Sequence, residues 1–191
     1  MVSNPGRRTA LVDAAIEVLA REGARGLTFR AVDKQAGVPV GTASNYFTSR
    51  DDLFTQAGSR IHVRMTPDPF QVDETMRAAP DRELVKELMR WLVRRMTDER
   101  TGYLALLELR LEATRRPALQ IELNRAVRAA FDEGVRFHLD FGLPGDEDTV
   151  LVLYLAMTGV LLEHFTLPGM LSDRELDAIV DTVVSRVVPP R

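Results

Sequence analysis

Apolar positions recur with a helical period along almost the whole chain. Leu11, Ala14, Ala15, Val18 and Leu19 follow the i, i+3, i+4, i+7, i+8 spacing of an amphipathic helix, which Gly23 and Gly26 end. Two short helices are predicted next, over 28–35 and 39–46, joined by a turn on Gly37, a residue that tolerates a left-handed backbone. Ser49-Arg50-Asp51-Asp52 reads as a capping box opening a fourth helix over 50–65, and Thr66-Pro67-Asp68-Pro69 breaks it. A fifth helix follows Pro80, with Leu84, Leu88, Trp91 and Leu92 on one face. Thr101-Gly102 is expected to interrupt before a sixth, Tyr103 to Arg116, which Pro117 stops. The seventh, Ala118 to Phe141, keeps Leu123, Val127, Phe131, Val135 and His138 in step. Beyond the break at Gly142-Leu143-Pro144-Gly145, Asp146 or Asp148 can cap an eighth helix that is apolar nearly all round, Val150 to Phe165. Pro168-Gly169 separates it from a ninth, opened by Ser172-Asp173-Arg174-Glu175 and striped by Leu176, Ile179, Val180, Val183 and Val187. No alternating strand pattern of useful length appears, and no internal repeat. The expected fold is all-α with about nine helices, a three-helix head over 1–65 and a helical-bundle C-terminal domain over 66–191.

A helix that is apolar on every face must be covered on every face. Pairing of the eighth and ninth helices (about 148–165 and 173–187) with a second copy, as a four-helix bundle, supplies that cover. The apolar run Val150 to Leu162 contains Thr158 and Gly159 and falls short of the ~18 to 20 residues that span a bilayer. It therefore reads as a buried helix of a soluble protein, and no membrane partner is expected. With 191 residues, 45% of them hydrophobic, the chain can fill a core, and the absence of Cys excludes disulfides and thiolate metal sites. That absence, with no secretory pattern in residues 1–20, fits a cytoplasmic protein.

Charge is uneven. Residues 1–50 hold seven basic side chains (Arg7, Arg8, Arg21, Arg25, Arg30, Lys34, Arg50) against four acidic ones (Asp13, Glu17, Glu22, Asp33), so the remainder is acidic enough to bring the total to −3. A basic head on an acidic body suits a protein that meets phosphates with one end. Within that head, residues 28–50 read as helix, Gly37 turn, helix and capped helix start, the layout by which a helix-turn-helix presents its second helix to the DNA major groove. Phe29, Val32, Ala36, Val38 and Phe47 are spaced to pack inward; Arg30, Thr42, Ser44, Asn45 and Arg50 are left facing outward.

From Arg8 to Ile61 the chain resembles the DNA-binding domain of the TetR family of one-component repressors. Ala36-Gly37-Val38, Gly41-Thr42 and Tyr46-Phe47 carry the resemblance, with Arg50 and Leu53 continuing it. Three positions depart from the family pattern: Ser44 replaces an aromatic, usually Tyr, Ala43 a larger aliphatic, and Asp33 a small residue. A phosphate contact commonly made by that Tyr would fall to Tyr46 or Ser44. The resemblance implies a palindromic double-stranded operator, a homodimer through the two last helices, and a small-molecule effector held among helices four to eight. Phosphate contacts are expected from Thr28, from Arg50 at the start of the fourth helix, and from Arg7 and Arg8 as a tail entering a minor groove. Base reading is expected of Arg30, Val40, Gly41, Thr42, Ser44, Asn45 and Tyr46, with Arg30 matching guanine and Asn45 adenine. Effector contacts would come from Trp91, Tyr103, Leu107, Arg110, Phe131, His138, Tyr154, Met157 and His164, with an inward Arg110 suited to an anion.

Two other classes compete. A helical-bundle enzyme would need a catalytic or metal constellation, and His62, His138 and His164 lie far apart with no HExxH or ExxH pattern. No catalytic residue, metal site or cofactor is expected. A helical module that binds only other proteins, or a DNA-binding regulator without an effector, remains as the alternative.

Overall fold

The computed structural model describes residues 4–66, 78–171 and 175–190. It contains eight α-helices and two 3₁₀ turns among those residues, with no strand. They are α1 (Pro5–Gly26), α2 (Phe29–Gln35), the 3₁₀ turn Ala43–Asn45, α3 (Arg50–Met65), α4 (Arg82–Asp98), α5 (Arg100–Ala113), α6 (Pro117–Asp140), α7 (Glu147–Thr166), the 3₁₀ turn Pro168–Leu171 and α8 (Leu176–Val187). The chain divides into two compact units: residues 1–66 with 99–127, and residues 67–98 with 128–191. Helices α5 and the first half of α6 thus fold with the N-terminal segment.

In the first unit α1 is the spine. Pro5 opens it under the Asn4 side chain, which accepts from the Arg7 amide at 3.1 Å, and its periodic face puts Leu11, Ala15, Ile16, Val18 and Leu19 in the core. At Gly23 the backbone turns left-handed (φ 69°), so the helical path ends there and Gly23–Gly26 forms a corner. Glu108 of α5 accepts from the Ala24 amide at 3.1 Å and fills the space a Cβ at Gly23 would need. Helix α5 starts at Arg100, not after Thr101-Gly102. Gly102 is a close approach and not a break: a Cβ there would lie 2.9 Å from the Glu99 carboxylate. That carboxylate pairs with Arg64, which also reaches Asp13 at 3.6 Å, while Arg60 grips Asp13 at 2.8 and 3.0 Å.

In the second unit α4 packs against α8 and α7. Arg90 holds Asp181 through two hydrogen bonds of 2.7 and 2.5 Å, which keep the Asp181 carboxyl below the usual carboxylate range, and Arg94 reaches Asp177 at 3.3 Å. Asp146 caps α7, accepting from the Thr149 amide at 2.9 Å, as the sequence suggests. Leu153, Met157, Leu161 and Phe165 are its buried row, whereas Leu151, Val152, Leu155 and Leu162 are exposed. The expected Ser172–Glu175 capping box and the Pro67–Pro69 break lie mostly outside the described residues.

Candidate nucleic-acid interface

Helix α2 begins at Thr28, whose side-chain oxygen accepts from the Ala31 amide at 3.1 Å, leaving the hydroxyl hydrogen to donate outward. It ends in a Schellman turn: the Val38 amide donates to Asp33 O at 3.0 Å and the Gly37 amide to Lys34 O at 3.3 Å, with Gly37 at φ 64°. From there the chain enters the segment expected to be a helix over 39–46. Only Ala43–Asn45 is helical, as a single 3₁₀ turn. Gly41 at φ 93° interrupts any longer path. The local hydroxyls also compete for its carbonyls: Thr42 donates to Pro39 O at 2.6 Å, and Ser44 to Gly41 O at 2.8 Å.

Asp33 holds this segment in place. It is 1% exposed, and its two carboxylate oxygens accept from the amides of Gly41 and Ala43, both at 2.7 Å. The small residue usual at this position could make neither bond. Asp33 also stands in the last turn of α2, where the helix dipole disfavours a negative charge, so sequence alone offers no local reason for it. Its only signal was its departure from the family pattern.

The result is a sorted surface. Thr28, Arg30, Val40, Gly41, Ser44 and Asn45 are exposed, Val40 to 77%, and Thr42 is half-buried. Asn45 donates one amide hydrogen to Gly41 O at 3.1 Å, with its second hydrogen and its oxygen on the exposed side. Three expected contacts are relocated. Tyr46 is 5% exposed and packs in the core beside Phe47, because the 3₁₀ turn carries it inward after Ala43. Arg50 turns back into the unit, donating to Leu27 O at 2.8 Å and also to Ala24 O, so it closes the carbonyl end of the α1 corner and is not aimed at phosphate. Arg8 lies in the first turns of α1, not in a tail, with its guanidinium over the Tyr46 and Phe47 rings (5.8 and 5.5 Å) and donating to Gln56 at 3.0 Å.

Residues 11–57 match the model for bacterial regulatory proteins of the tetR family, and residues 80–190 match that for the tetracyclin repressor-like C-terminal domain. The chain belongs to the TetR family. Its membership makes it a DNA-binding transcriptional regulator. A TetR-family member from Streptomyces coelicolor A3 is 31% identical, with 97% of this chain and 99% of that one covered and a TM-score of 0.70. The multidrug binding protein EbrR, in complex with imidazole, is also 31% identical over 98% of each chain, with a TM-score of 0.66. The nicotine-responsive transcriptional repressor HdnoR of Paenarthrobacter nicotinovorans is 26% identical over 97% of this chain and 98% of that protein.

The residues expected around an effector in this TetR-family chain divide between the two units. Tyr103, Leu107 and Arg110 belong to the first unit, Trp91, Phe131, His138, Tyr154, Met157 and His164 to the second. Arg110 lies on the exposed face of α5, so it does not point inward. Its neighbour Glu112 is buried and pairs with Arg116 at 2.6 Å, whose other arm meets Asp51 at 2.5 Å. The hydrogen bond from Arg116 holds the Glu112 carboxyl below the usual range, with burial opposing it. His138 is committed to structure: a ring nitrogen meets Pro144 O at 3.1 Å across the Gly142 turn, and burial lowers its pKa. Phe131 and Tyr154 meet edge-to-face at 5.9 Å, His164 packs on Phe165, and Met157 is core.

Proposed function

We propose that the chain is a cytoplasmic one-component repressor, without catalytic activity, that holds a palindromic operator as a homodimer and is released by a small molecule bound in its C-terminal domain. The observation that carries the DNA reading is the fixed segment Pro39–Phe47, which Asp33 and Gly37 hold with Val40, Gly41, Thr42, Ser44 and Asn45 outward. Arg30 joins them as a guanine reader, and the Thr28 hydroxyl with the start of α2 binds phosphate. A second copy is proposed to cover the exposed leucines of α7 and the adjoining face of α8. Length and composition alone would let α7 cross a bilayer; in a member of this family, pairing with its copy accounts for the same apolar face. Support for an effector comes from the relatives: HdnoR is nicotine-responsive, and EbrR is known in complexes with ethidium, proflavin and malachite green. The effector can shift DNA binding only by its differential affinity for the two states.

Selection of bound sequences from random DNA, followed by footprinting, tests this reading. Two symmetric protected half-sites about 34–36 Å apart are expected. Asymmetric protection refutes the dimeric reading. A chain that fails even to bind heparin or random DNA at low salt is better described as a protein-interaction module.

A further inference from the structure

The arginines of α4 are not equivalent. Arg90 and Arg94 are neutralised by Asp181, Asp177 and Glu87. Arg95 is different. Like Arg82, it has a buried Nε atom that meets no hydrogen-bond acceptor among the described residues, and its guanidinium sits over the ring of Trp91, 4.8 Å from the centroid. Among the described residues no carboxylate compensates it, and burial alone pulls its pKa below the ordinary arginine value. Half-burying a cation without a partner is unfavourable, and replacing it by an apolar side chain of similar volume is ordinarily neutral or stabilising. A guanidinium lying over an indole can, in contrast, grip a carboxylate with two parallel hydrogen bonds while the uncovered part of the ring receives an apolar or aromatic body.

We infer that Arg95 and Trp91 form the polar end of an effector site for a small carboxylate-bearing, preferably aromatic, ligand. This deepens the proposed effector response and rests on it. The anion role that the sequence suggested for Arg110 passes to an arginine one helix earlier. It also separates this chain from EbrR, whose known complexes include ethidium, proflavin and malachite green.

Trp91 is the chain's only tryptophan, so its emission reports on this site without background. Purified full-length protein is titrated with sodium benzoate, and in parallel with benzylammonium chloride, following Trp91 emission and binding heat. Saturable binding of benzoate is expected, tighter than that of benzylammonium, and weakened about tenfold or more in Arg95→Gln, the loss of one charged hydrogen-bonding partner. Arg95→Lys keeps the charge without the planar fork and should also bind more weakly than the native protein. Arg95→Met, without any probe, should melt at the same temperature or higher. The inference is overturned if no saturable benzoate response appears, if Arg95→Gln binds benzoate as tightly as the native protein, or if benzylammonium binds better. It is overturned equally if Arg95→Met melts several degrees lower while Arg95→Lys does not, because the cation would then be structural. None of these titrations contains DNA. Failure of the native protein to bind an operator would therefore refute the DNA reading separately.

Discussion

Replacing Asp33 with Ala removes both acceptors that hold the recognition segment, without touching any side chain proposed to face DNA. The Ala43 amide is buried, so losing its charged partner costs about 1.5–3 kcal/mol. The Gly41 amide is half-buried, and water can replace part of its bond. Against these losses stands the relief of burying a carboxylate at the C-terminal end of a helix, worth about 0.3–1 kcal/mol in the dipole alone. A net destabilisation of about 2 kcal/mol follows, or roughly 4–8 °C in melting temperature for a chain of this size at fixed protein concentration. The effect on DNA should be larger. Two heads must each re-form Pro39–Phe47 on the duplex, so operator affinity should fall by about 30- to 700-fold, corresponding to ~1–2 kcal/mol per head. Circular dichroism melting and fluorescence anisotropy on a selected operator measure the two quantities. Asp33→Asn keeps one acceptor but sets an amide N–H against a backbone N–H, and should fall between the two proteins. If Asp33→Ala melts within a degree of the native protein and binds operator within about twofold, the carboxylate does not shape the segment and the reasoning fails.

Arg30→Ala should weaken operator binding by about 1–3 kcal/mol per half-site and relax one base position, with little change on random DNA; equal weakening on both would reject base reading. Glu112→Gln should flatten the acid side of the stability profile. Because Arg116 holds the native carboxyl below its unfolded value, its contribution of roughly 1 kcal/mol is complete above the ordinary glutamate pKa and is lost as pH falls through the lower native one. Urea unfolding between about pH 5 and pH 3 should therefore be less pH-dependent in Glu112→Gln than in the native protein; parallel curves would contradict the assignment. Leu155→Arg, at a side chain 58% exposed in the single chain, should leave the protein monomeric by sedimentation, since each buried leucine contributes about 1.5–3 kcal/mol and a two-fold interface loses it twice.

Most of the helices were legible because their information is local. The Leu11–Leu19 stripe, the Gly37 turn, the Ser49 and Asp146 caps and the apolar run of α7 each sit within a few residues of what they determine. The segment after Gly37 falls short of the helix its spacing predicts for a reason that is also local, though weaker in the pattern. Gly41 takes a left-handed backbone, and the hydroxyls of Thr42 and Ser44 draw off carbonyls that an α-helix would have used.

Among the side chains proposed to act, placement was legible only where the adjoining turn decides exposure. Val40, Thr42, Ser44 and Asn45 needed nothing beyond the turn to face outward. Arg50, Arg110 and Arg95 needed more, because an arginine's role depends on which acceptors the fold brings within reach. Arg50 finds Leu27 and Ala24, 23 and 26 positions back along the chain. Arg90 and Arg94 find carboxylates on α8, 91 and 83 positions ahead, and Arg95, one residue further along the same helix, is turned away from them onto Trp91. One helical step of 100° separates a neutralised arginine from one that no carboxylate compensates among the described residues. In a chain whose positive charge is carried almost wholly by arginine, counting charges therefore cannot identify a binding residue. The one worth testing is Arg95, half-buried over Trp91 with no carboxylate within reach among the described residues.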